Sequence, residues 1–433
     1  MKPVLALLFA TAGPHGSAAI HAGRDILKQR AEARAHVSGS RQPGATAVRV
    51  HNGEGSRTYD PSHPLRVISW NVQFLAGTGS HFFYDGGRAV SASAPRRGTV
   101  RANLEKVAEA ILREDPDIVM LQEVDRRCLR TGFVDQHAEL LRALGGKYRS
   151  HTSAWYWRVP WVPHPTHEHV GAMNMHLSVF SKYELASAQR IPLPLLKESR
   201  LRRIFNLRRA VLATDVVCSN GERISVLNTH LSAFSNADGT LASQVAVLTG
   251  MIAQINEQSA IIKKNASAAH TGHTAAAISG SAQPAALSQG ASLLRCIRSW
   301  LRRGASPPHR EPLKPLKYVG WVLAGDLNSL PPGVPPSRHL HASEAALYGE
   351  AETPIATLYN SKLGTPVLPP LQLADPATAA KWFSYKPFEA SSADRTIDHA
   401  FVGGQFAVAS AKVVPVPGWP SDHAPIVMDL RRR

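Results

Sequence analysis

Polar residues with side chains suited to catalysis follow strand-like apolar runs at several places along the sequence. The clusters are Asn71, Gln122-Glu123, Asn228-Thr229-His230, Asp326-Leu327-Asn328, Asp398 and Asp422-His423. One such residue alone is usually a solvated loop residue, but so many in one chain are not explained by solvent exposure. Because strand ends meet at one rim of a sheet, we expect these side chains to form a single site.

The chemistry of this candidate site follows from its side-chain types, which are carboxylates, amides and imidazoles without a thiolate. Oxygen ligands of this kind suit Mg²⁺ or Mn²⁺. A divalent metal neutralises phosphoryl charge and holds a phosphate for in-line attack. Paired imidazoles supply proton transfer and positive charge near the transition state. The pattern therefore predicts a phosphoesterase that depends on Mg²⁺ or Mn²⁺ and uses an Asp–His pair.

Strands and helices alternate along the segments that must position these residues. Apolar runs predict strands at 66–70, 118–121, 177–180, 210–217, 224–227, 318–324, 382–385, 397–402 and 425–430. Helical spacing of apolar residues predicts helices at 99–113, about 134–144 and about 240–257. These elements predict one α/β domain over residues 64–430.

Two segments differ in composition from the predicted domain. Residues of about 259–316 are rich in Ala, Ser, Gly, His and Pro, which is typical of a low-complexity, partly disordered insertion. Residues 1–63 are predicted to be a flexible tail that begins with a signal or transit segment. The short apolar run after Lys2 favours export over an organelle or the cytoplasm.

The formal net charge is +17, yet most of the excess lies in the terminal tails and the low-complexity insertion. Residues 1–63 hold eight Lys or Arg against four acids, and residues 258–317 hold nine against one. A solvated charged segment is therefore favoured over a dedicated polyanion-binding region. No run of eighteen apolar residues occurs, so no transmembrane segment is expected. Three scattered cysteines make no disulfide framework or thiolate metal site.

The polar clusters, taken with their flanking residues, form sequence blocks that occur in a fixed order. The blocks are Ser69-Trp70-Asn71, Pro116-Asp117-Ile118-Val119-Met120-Leu121-Gln122-Glu123, Asn228-Thr229-His230-Leu231, Gly325-Asp326-Leu327-Asn328, Thr396-Ile397-Asp398 and Ser421-Asp422-His423. In this order they resemble the endonuclease/exonuclease/phosphatase superfamily, the DNase I-like enzymes. The resemblance implies an α/β (α+β) fold, a four-layer αββα sandwich of two mixed β-sheets packed face to face with helices outside.

The resemblance also implies roles for individual residues of the metal and phosphate site. Glu123 matches the principal metal ligand, Asn71 the amide that helps to bind metal or phosphate, and Asp422 a residue that supports the metal or a water. Asp326 matches the residue that orients or deprotonates the attacking water. Asn328 matches the amide that positions that water and the phosphate.

The remaining matched residues are imidazoles and their neighbours. His423 matches the essential imidazole, and Asp398 matches its partner carboxylate, which fixes the tautomer and stabilises the imidazolium. His230 matches the second imidazole, which contacts a phosphate oxygen or the leaving group. Asn228 is a candidate substrate-binding residue from the same block. Arg208, within a local basic stretch, is a second.

Two further clusters have a structural interpretation that we favour over a functional one. The aromatic residues of 155–161 could stack on bases or enter a lipid surface, but we expect them to pack a long loop against the sandwich. His164, His167 and His169 have a spacing that zinc can use, but no acidic or cysteine partner follows at metal-site spacing. We expect these histidines to lie in a solvated loop.

The substrate remains open at this level. A monomer that acts on a phosphodiester is expected, with nucleic acid and a phospholipid such as sphingomyelin ranked nearly level. The inositol-phosphatase alternative is disfavoured because the block around Asp422 lacks the Trp-Cys-Asp-Arg type of sequence of those enzymes. Two further alternatives are a phosphomonoesterase on a small molecule and a catalytically silent binding module. The module is expected to have lost at least one of Glu123, Asp326, Asn328 or His423, and all four are present.

Overall fold

The computed structural model describes most of the predicted domain and part of the predicted tail. The described residues are 44–80, 82, 94–96, 98–165, 168–200, 202–233, 238–271, 317–334, 340, 348, 353–371 and 375–433. Side chains of the helix that ends at residue 271 are described as far as residue 259. The predicted signal segment and most of the predicted insertion lie outside the described residues.

Within the described residues, fourteen strands form two sheets of seven strands each. The first sheet has the order β1 (Thr46–Val48), β7 (Leu185–Pro192), β8 (Ala210–Val217), β9 (Arg223–His230), β10 (Tyr318–Asp326), β12 (Asp398–Gly404) and β11 (Thr365–Pro366). The second sheet has the order β13 (Phe406–Val413), β14 (Ile426–Arg432), β3 (Leu65–Asn71), β4 (Ile118–Asp125), β6 (Gly171–Ser181), β5 (Ser150–Val162) and β2 (Val50–Asn52). Each sheet is mixed, since β3 pairs with β4 and β9 with β10 in parallel, while the other pairs are antiparallel.

Helices lie on the outer faces because each parallel pair needs a crossover connection. Helix α1 (Thr99–Glu114) connects β3 to β4, and its apolar stripe, which includes Leu104, Val107 and Ile111, packs on the second sheet. Helix α4 (Thr240–Thr271) precedes β10 and packs on the first sheet. The shorter helices are α2 (Gln136–Ala143), α3 (Arg202–Phe205), α5 (Ala356–Asn360) and α6 (Pro376–Ala380), with 3₁₀ turns at Gln73–Leu75 and Leu129–Thr131.

The two sheets pack face to face through the inward side chains of alternate residues. This main core includes Val67, Met120 and Leu177 from the second sheet and Leu212 and Val226 from the first. The arrangement of helix, sheet, sheet and helix confirms the predicted four-layer αββα sandwich. Among the described helices, none is long and apolar enough to cross a membrane.

The N-terminal boundary of the folded region differs from the sequence-based one at residue 64. Residues 46–48 add an edge strand to the first sheet, and residues 50–52 add one to the second. Tyr59 is fully buried in the main core, and its hydroxyl donates to the carbonyl oxygen of His63, 2.5 Å away. The segment was predicted to be a tail because its three-residue strands are too short to show alternation. Residues 44–63 belong to the fold.

Two local predictions also differ from the structure. The aromatic residues of 155–161 lie on β5, a thirteen-residue strand, and not in a loop. Alternation along this strand buries Tyr156 while Trp155 and Trp161 are partly exposed. Residues 382–385 do not form a strand, because only Tyr385 makes isolated bridges, to Arg395 and His423. Of the predicted histidine loop, His164 and His169 are described, and His167 lies outside the described residues.

Candidate active site

The ends of strands from both sheets meet at one rim of the sandwich. Asn71 is the last residue of β3, His230 the last of β9 and Asp326 the last of β10. Asp398 begins β12, which is antiparallel to β10, so its first residue reaches the same rim. Asp326 lies opposite His230 on one side and Asp398 on the other. The sheet registers thus bring together residues that are far apart in sequence.

Glu123 reaches the site through an irregularity in its strand. The pairing of β4 with β6 shifts register between Leu121 and Val124, and Glu123 has a φ of 57°. A positive φ costs a non-glycine residue about 1–3 kcal/mol and is frequent at functional positions. A buried ion pair follows directly, with Asp125 Oδ2 2.8 Å from Arg130 Nε. This pair fixes the chain immediately after the bulge.

An amide group lies between the two carboxylates of the site. Nδ2 of Asn71 donates to Oε1 of Glu123 at 3.3 Å and to Oδ2 of Asp326 at 3.0 Å. Its Oδ1 accepts the backbone N–H of Gln73 at 3.0 Å. In this orientation Asn71 supports the carboxylates by hydrogen bonds, and Glu123 is the better direct metal ligand.

His230 lies beside the same carboxylates and is almost fully buried. Its Nε2 is 3.3 Å from Oδ2 of Asp326, and its Nδ1 is 3.7 Å from Oε1 of Glu123. The hydroxyl of Tyr156 lies 3.2 Å from Nδ1. Burial, with added repulsion from Arg209 and His423, lowers the pKa of His230 well below its usual value. A neutral ring with N–H on Nε2 and the Tyr156 hydroxyl donating to Nδ1 satisfies these contacts.

His423 forms the predicted pair with Asp398. Its Nδ1 lies 2.7 Å from Oδ2 of Asp398, and the Ser384 hydroxyl donates to the same oxygen at 2.7 Å. The backbone carbonyl of His423 accepts the indole N–H of Trp70 at 2.8 Å. Burial opposes protonation of the ring, but the carboxylates of Asp398, Asp422 and Asp326 outweigh it and raise the pKa of His423 well above its usual value. His423 is therefore held as an imidazolium.

Asp326 is an almost fully buried carboxylate with a raised pKa. Burial raises its pKa to about 7, although the charge of His423 and hydrogen bonds from Asn328 and Asn71 act in the opposite direction. The backbone N–H of Asn328 donates to Oδ1 of Asp326 at 2.9 Å. Asn328 has a φ of 50°, and its side-chain amide donates to the carbonyl of Leu231 at 3.0 Å. A carboxylate whose pKa lies near neutrality is suited to accept a proton from water.

The charge balance of the site fits a divalent cation. Within the described part of the chain, Glu123 and Asp326 make ion pairs with histidines only and with no Lys or Arg. Asp326, Asp398 and His423 also place their ligand atoms within 4.8 Å of one another. Since Asp398 Oδ2 is already engaged by His423 and Ser384, Glu123 and Asp326 offer the better oxygen ligands. Asp422 lies at the edge, with Oδ1 3.8 Å from Nε2 of His423.

The two predicted substrate-binding residues lie away from the centre of the site. Asn228 is fully buried, and its amide spans the sandwich by donating to the carbonyls of Leu121 and Ser178 and accepting from Gln122. Its role in the structure is to join the two sheets beneath the site. Arg208 is exposed, and its contacts to Tyr156 and Arg190 are made by its backbone.

Three residues at the site were not among the sequence-predicted ones: Tyr156, Arg209 and Ser384. Tyr156 and Arg209 lie beside His230, and Arg209 Cζ is 5.5 Å from the Tyr156 ring centre. Ser384 orients Asp398. The basic stretch that includes Arg209 was visible in the sequence, but only the fold shows which of its arginines turns inward.

Comparisons of the structure with solved structures gave several proteins of similar fold. An endonuclease/exonuclease/phosphatase from Beutenbergia cavernae DSM 12333 is 22% identical, with a TM-score of 0.46 over 85% of this chain and 72% of that one. The human Nocturnin catalytic domain with bound sulfate anion is 16% identical, with a TM-score of 0.44 over 86% and 94%. D. rerio TDP2 complexed with a single-strand DNA product is 12% identical, with a TM-score of 0.43 over 85% and 99%.

These similarities are too low to carry an argument about the substrate of this chain. A search of curated proteins gave no match. The model of the Endonuclease/Exonuclease/phosphatase family matches residues 68–423, a span that contains all of the site residues described above. Members of this family are hydrolases that act on phosphoester bonds. The chain belongs to the endonuclease/exonuclease/phosphatase family.

Proposed function

We propose that this protein is a divalent-metal-dependent phosphodiesterase that uses Mg²⁺ or Mn²⁺ and a water molecule attacking in line. The observation that carries the proposal is the meeting of Glu123 and Asp326 with the Asp398–His423 pair at one rim. A silent binding module would have no need for a buried carboxylate with a raised pKa beside a buried imidazolium, since each is costly to maintain.

The protein groups have separable tasks in this reaction. Asp326 accepts the proton of the attacking water, which its pKa near 7 allows at neutral pH. The imidazolium of His423 donates a hydrogen bond to a phosphoryl oxygen, and Asp398 holds that ring in the required orientation. Nε2–H of His230 faces the same region and offers a second donor.

The metal, when bound, would act as a Lewis acid that neutralises charge on the phosphoryl oxygens. Glu123 would hold it directly through the oxygen that faces Asn71. Asp422 at the edge of the site would support the metal or a water. Asn71 would orient the carboxylates of Glu123 and Asp326 through its hydrogen bonds to both.

Hydrolysis of bis-p-nitrophenyl phosphate and p-nitrophenyl phosphate tests the reaction type. Each substrate is supplied with Mg²⁺, Mn²⁺ or EDTA, and release of p-nitrophenol is followed. Metal-dependent release that is faster from the diester supports the proposal. Faster release from the monoester would support a phosphomonoesterase instead. Release that is unchanged in EDTA would contradict metal dependence.

For the natural substrate we favour nucleic acid over a phospholipid. Exposed arginine side chains at positions 202, 203 and 208 lie on the segment whose backbone hydrogen bonds to Tyr156, beside His230. Positive charge next to a phosphoesterase site attracts a polyanionic backbone. Plasmid DNA, RNA and sphingomyelin vesicles are compared as substrates. Cleavage of the vesicles alone would contradict this choice.

A further inference from the structure

Arg209 is a buried arginine whose guanidinium makes no hydrogen bond and no ion pair within the described part of the protein. Its side chain is 9% exposed, and its Nη1 atom is buried without a hydrogen-bond partner. The other buried arginines all have acceptors. Arg130 pairs with Asp125, Arg395 pairs with Asp394, and Arg190 donates to the carbonyls of Trp155 and Arg208. Arg209 therefore differs from the other buried arginines, because its guanidinium lacks an acceptor.

An unpaired buried guanidinium is costly, and proteins seldom keep one without a use. Burial lowers the pKa of Arg209, because the charged guanidinium is less stable away from water. The chain nevertheless fixes its backbone firmly. The N–H of Arg208 donates to the carbonyl of Tyr156 at 2.6 Å, and the N–H of Leu193 donates to the carbonyl of Arg209 at 2.9 Å. The backbone of this segment is thus held in place on both sides.

The position of Arg209 relates it to the active site. Its Cζ lies 5.5 Å from the centre of the Tyr156 ring, and the hydroxyl of that tyrosine contacts Nδ1 of His230. The positive charge of Arg209 acts on His230, Glu123 and Asp326. Arg209, Tyr156 and His230 therefore form one wall beside the two carboxylates, where the proposed reaction requires the phosphate.

We propose that Arg209 binds an anionic phosphate oxygen of the substrate, which supplies the missing partner of its guanidinium. The inference rests on the proposed function for the identity of the anion, because a phosphodiester carries a negative charge to this wall. A guanidinium makes strong charge-assisted hydrogen bonds to phosphate oxygens. Arg209 is then a substrate-binding residue that is desolvated in advance, and its cost in stability is offset when the anion binds.

Three variants of the full-length protein test this inference. Arg209→Met removes the charge while keeping a long apolar side chain, Arg209→Lys keeps the charge, and Arg113→Met is the control at an exposed arginine of α1. Binding of inorganic phosphate in Mg²⁺-containing buffer is measured by calorimetry. Thermal melting and kcat/KM for bis-p-nitrophenyl phosphate are measured on the same samples.

We expect Arg209→Met to weaken phosphate binding about 10- to 100-fold, the range for losing a hydrogen bond to a charged group. The value of kcat/KM should fall at least about 10-fold, while the melting temperature stays equal or rises, since an unpaired buried charge is removed. Arg209→Lys should recover part of the phosphate affinity. Arg113→Met should stay within about twofold of wild type in phosphate affinity and kcat/KM, as expected for an exposed side chain.

Two results would overturn the inference. One is a lower melting temperature for Arg209→Met with unchanged phosphate affinity, which would mean a structural arginine. The other is equal loss of phosphate affinity in Arg113→Met and Arg209→Met, which would mean a general effect of net charge. Phosphate binding that depends on Arg209 in a protein without hydrolytic activity would uphold the inference while contradicting the proposed function.

Discussion

Nδ1 of His423 lies 2.7 Å from Oδ2 of Asp398, and this buried pair joins the second sheet to the first. Asp398, together with the carboxylates of Asp422 and Asp326, outweighs the effect of burial and raises the pKa of His423, and its hydrogen bond orients the ring. Asp398→Asn removes that charge with almost no change in volume. We expect kcat for bis-p-nitrophenyl phosphate to fall roughly 10²- to 10⁴-fold, the range for positioned acid–base groups.

Circular dichroism and thermal melting check that Asp398→Asn remains folded. The matched control is Asp429→Asn, because Asp429 pairs with Arg66 in the second sheet and has no contact with the site. We expect the control to lose some stability and to keep its kcat. Equal kcat losses in both variants would mean that the effect of Asp398→Asn is not specific to His423.

Glu123 is the residue whose loss should weaken the metal most directly. It reaches the site at a positive φ in a strand bulge, and within the described residues it makes no ion pair with a Lys or Arg. Glu123→Gln should weaken Mn²⁺ binding, measured by calorimetry, by at least about 10-fold. Glu109→Gln on the exposed face of α1 is the control. Equal Mn²⁺ affinity in wild type and Glu123→Gln would exclude Glu123 as a ligand.

Much of the fold and the core of the site could be predicted from the sequence because apolar runs ending in polar residues are local signals. Asn71, His230 and Asp326 follow such runs directly, and the registers of both sheets bring them together. Tyr156 and Arg209 could not be assigned in this way. Their roles depend on contacts between β5 and the segment before β8, which no local pattern encodes.

Ser384 illustrates a second limit of sequence-based prediction. Its hydroxyl orients Asp398, yet it lies in a segment that was predicted to be a strand and has only isolated bridges at Tyr385. The short strands β1 and β2 illustrate a third. Three residues bury too little apolar surface to produce a periodic pattern, so the pairing of residues 46–52 depends on edges that other strands provide.

A histidine cluster on the outer face of the second sheet predicts acid sensitivity of the fold. His137 Nε2 lies 3.0 Å from His151 Nδ1, and His51 of β2 stacks on His151 at 4.8 Å. Burial, together with nearby positive charge that includes Arg126, lowers the pKa of His137 well below its usual value and that of His151 to about 4. The folded state therefore holds both rings neutral at pH values where the unfolded chain is protonated.

The sign of the pH effect follows from these lowered pKa values. The stabilising contribution is present above the unfolded histidine pKa of about 6.5 and is lost as the pH falls toward 4. Each histidine that stays neutral in the folded state adds up to about 1.4 kcal/mol per pH unit to the slope of the free energy of unfolding against pH. The partly exposed His151 adds less. Urea unfolding between pH 7 and about 4 should show a shallower slope for His137→Gln. Exposed His63→Gln is the control, and equal slopes in both variants would contradict this account.

Tyr59 tests whether the residues before 64 are part of the folded domain. The side chain is fully buried in the main core, although the sequence predicted a flexible tail there. Tyr59→Ala should lower the free energy of unfolding by about 3–5 kcal/mol, the usual cost of deleting a buried aromatic side chain. The exposed neighbour Thr58→Ala should change it by less than about 0.5 kcal/mol. Urea unfolding with no difference between the two variants would leave this segment outside the core.

The most direct test of the proposed site is the rate of bis-p-nitrophenyl phosphate hydrolysis by wild type and His423→Ala in saturating Mg²⁺. Both proteins are shown to be folded by circular dichroism before the assay. The account predicts hydrolysis by wild type that EDTA abolishes and that falls at least about 10²-fold in His423→Ala, because the imidazolium that stabilises the phosphoryl charge is lost. Mg²⁺-dependent hydrolysis at the same rate in both proteins would contradict it.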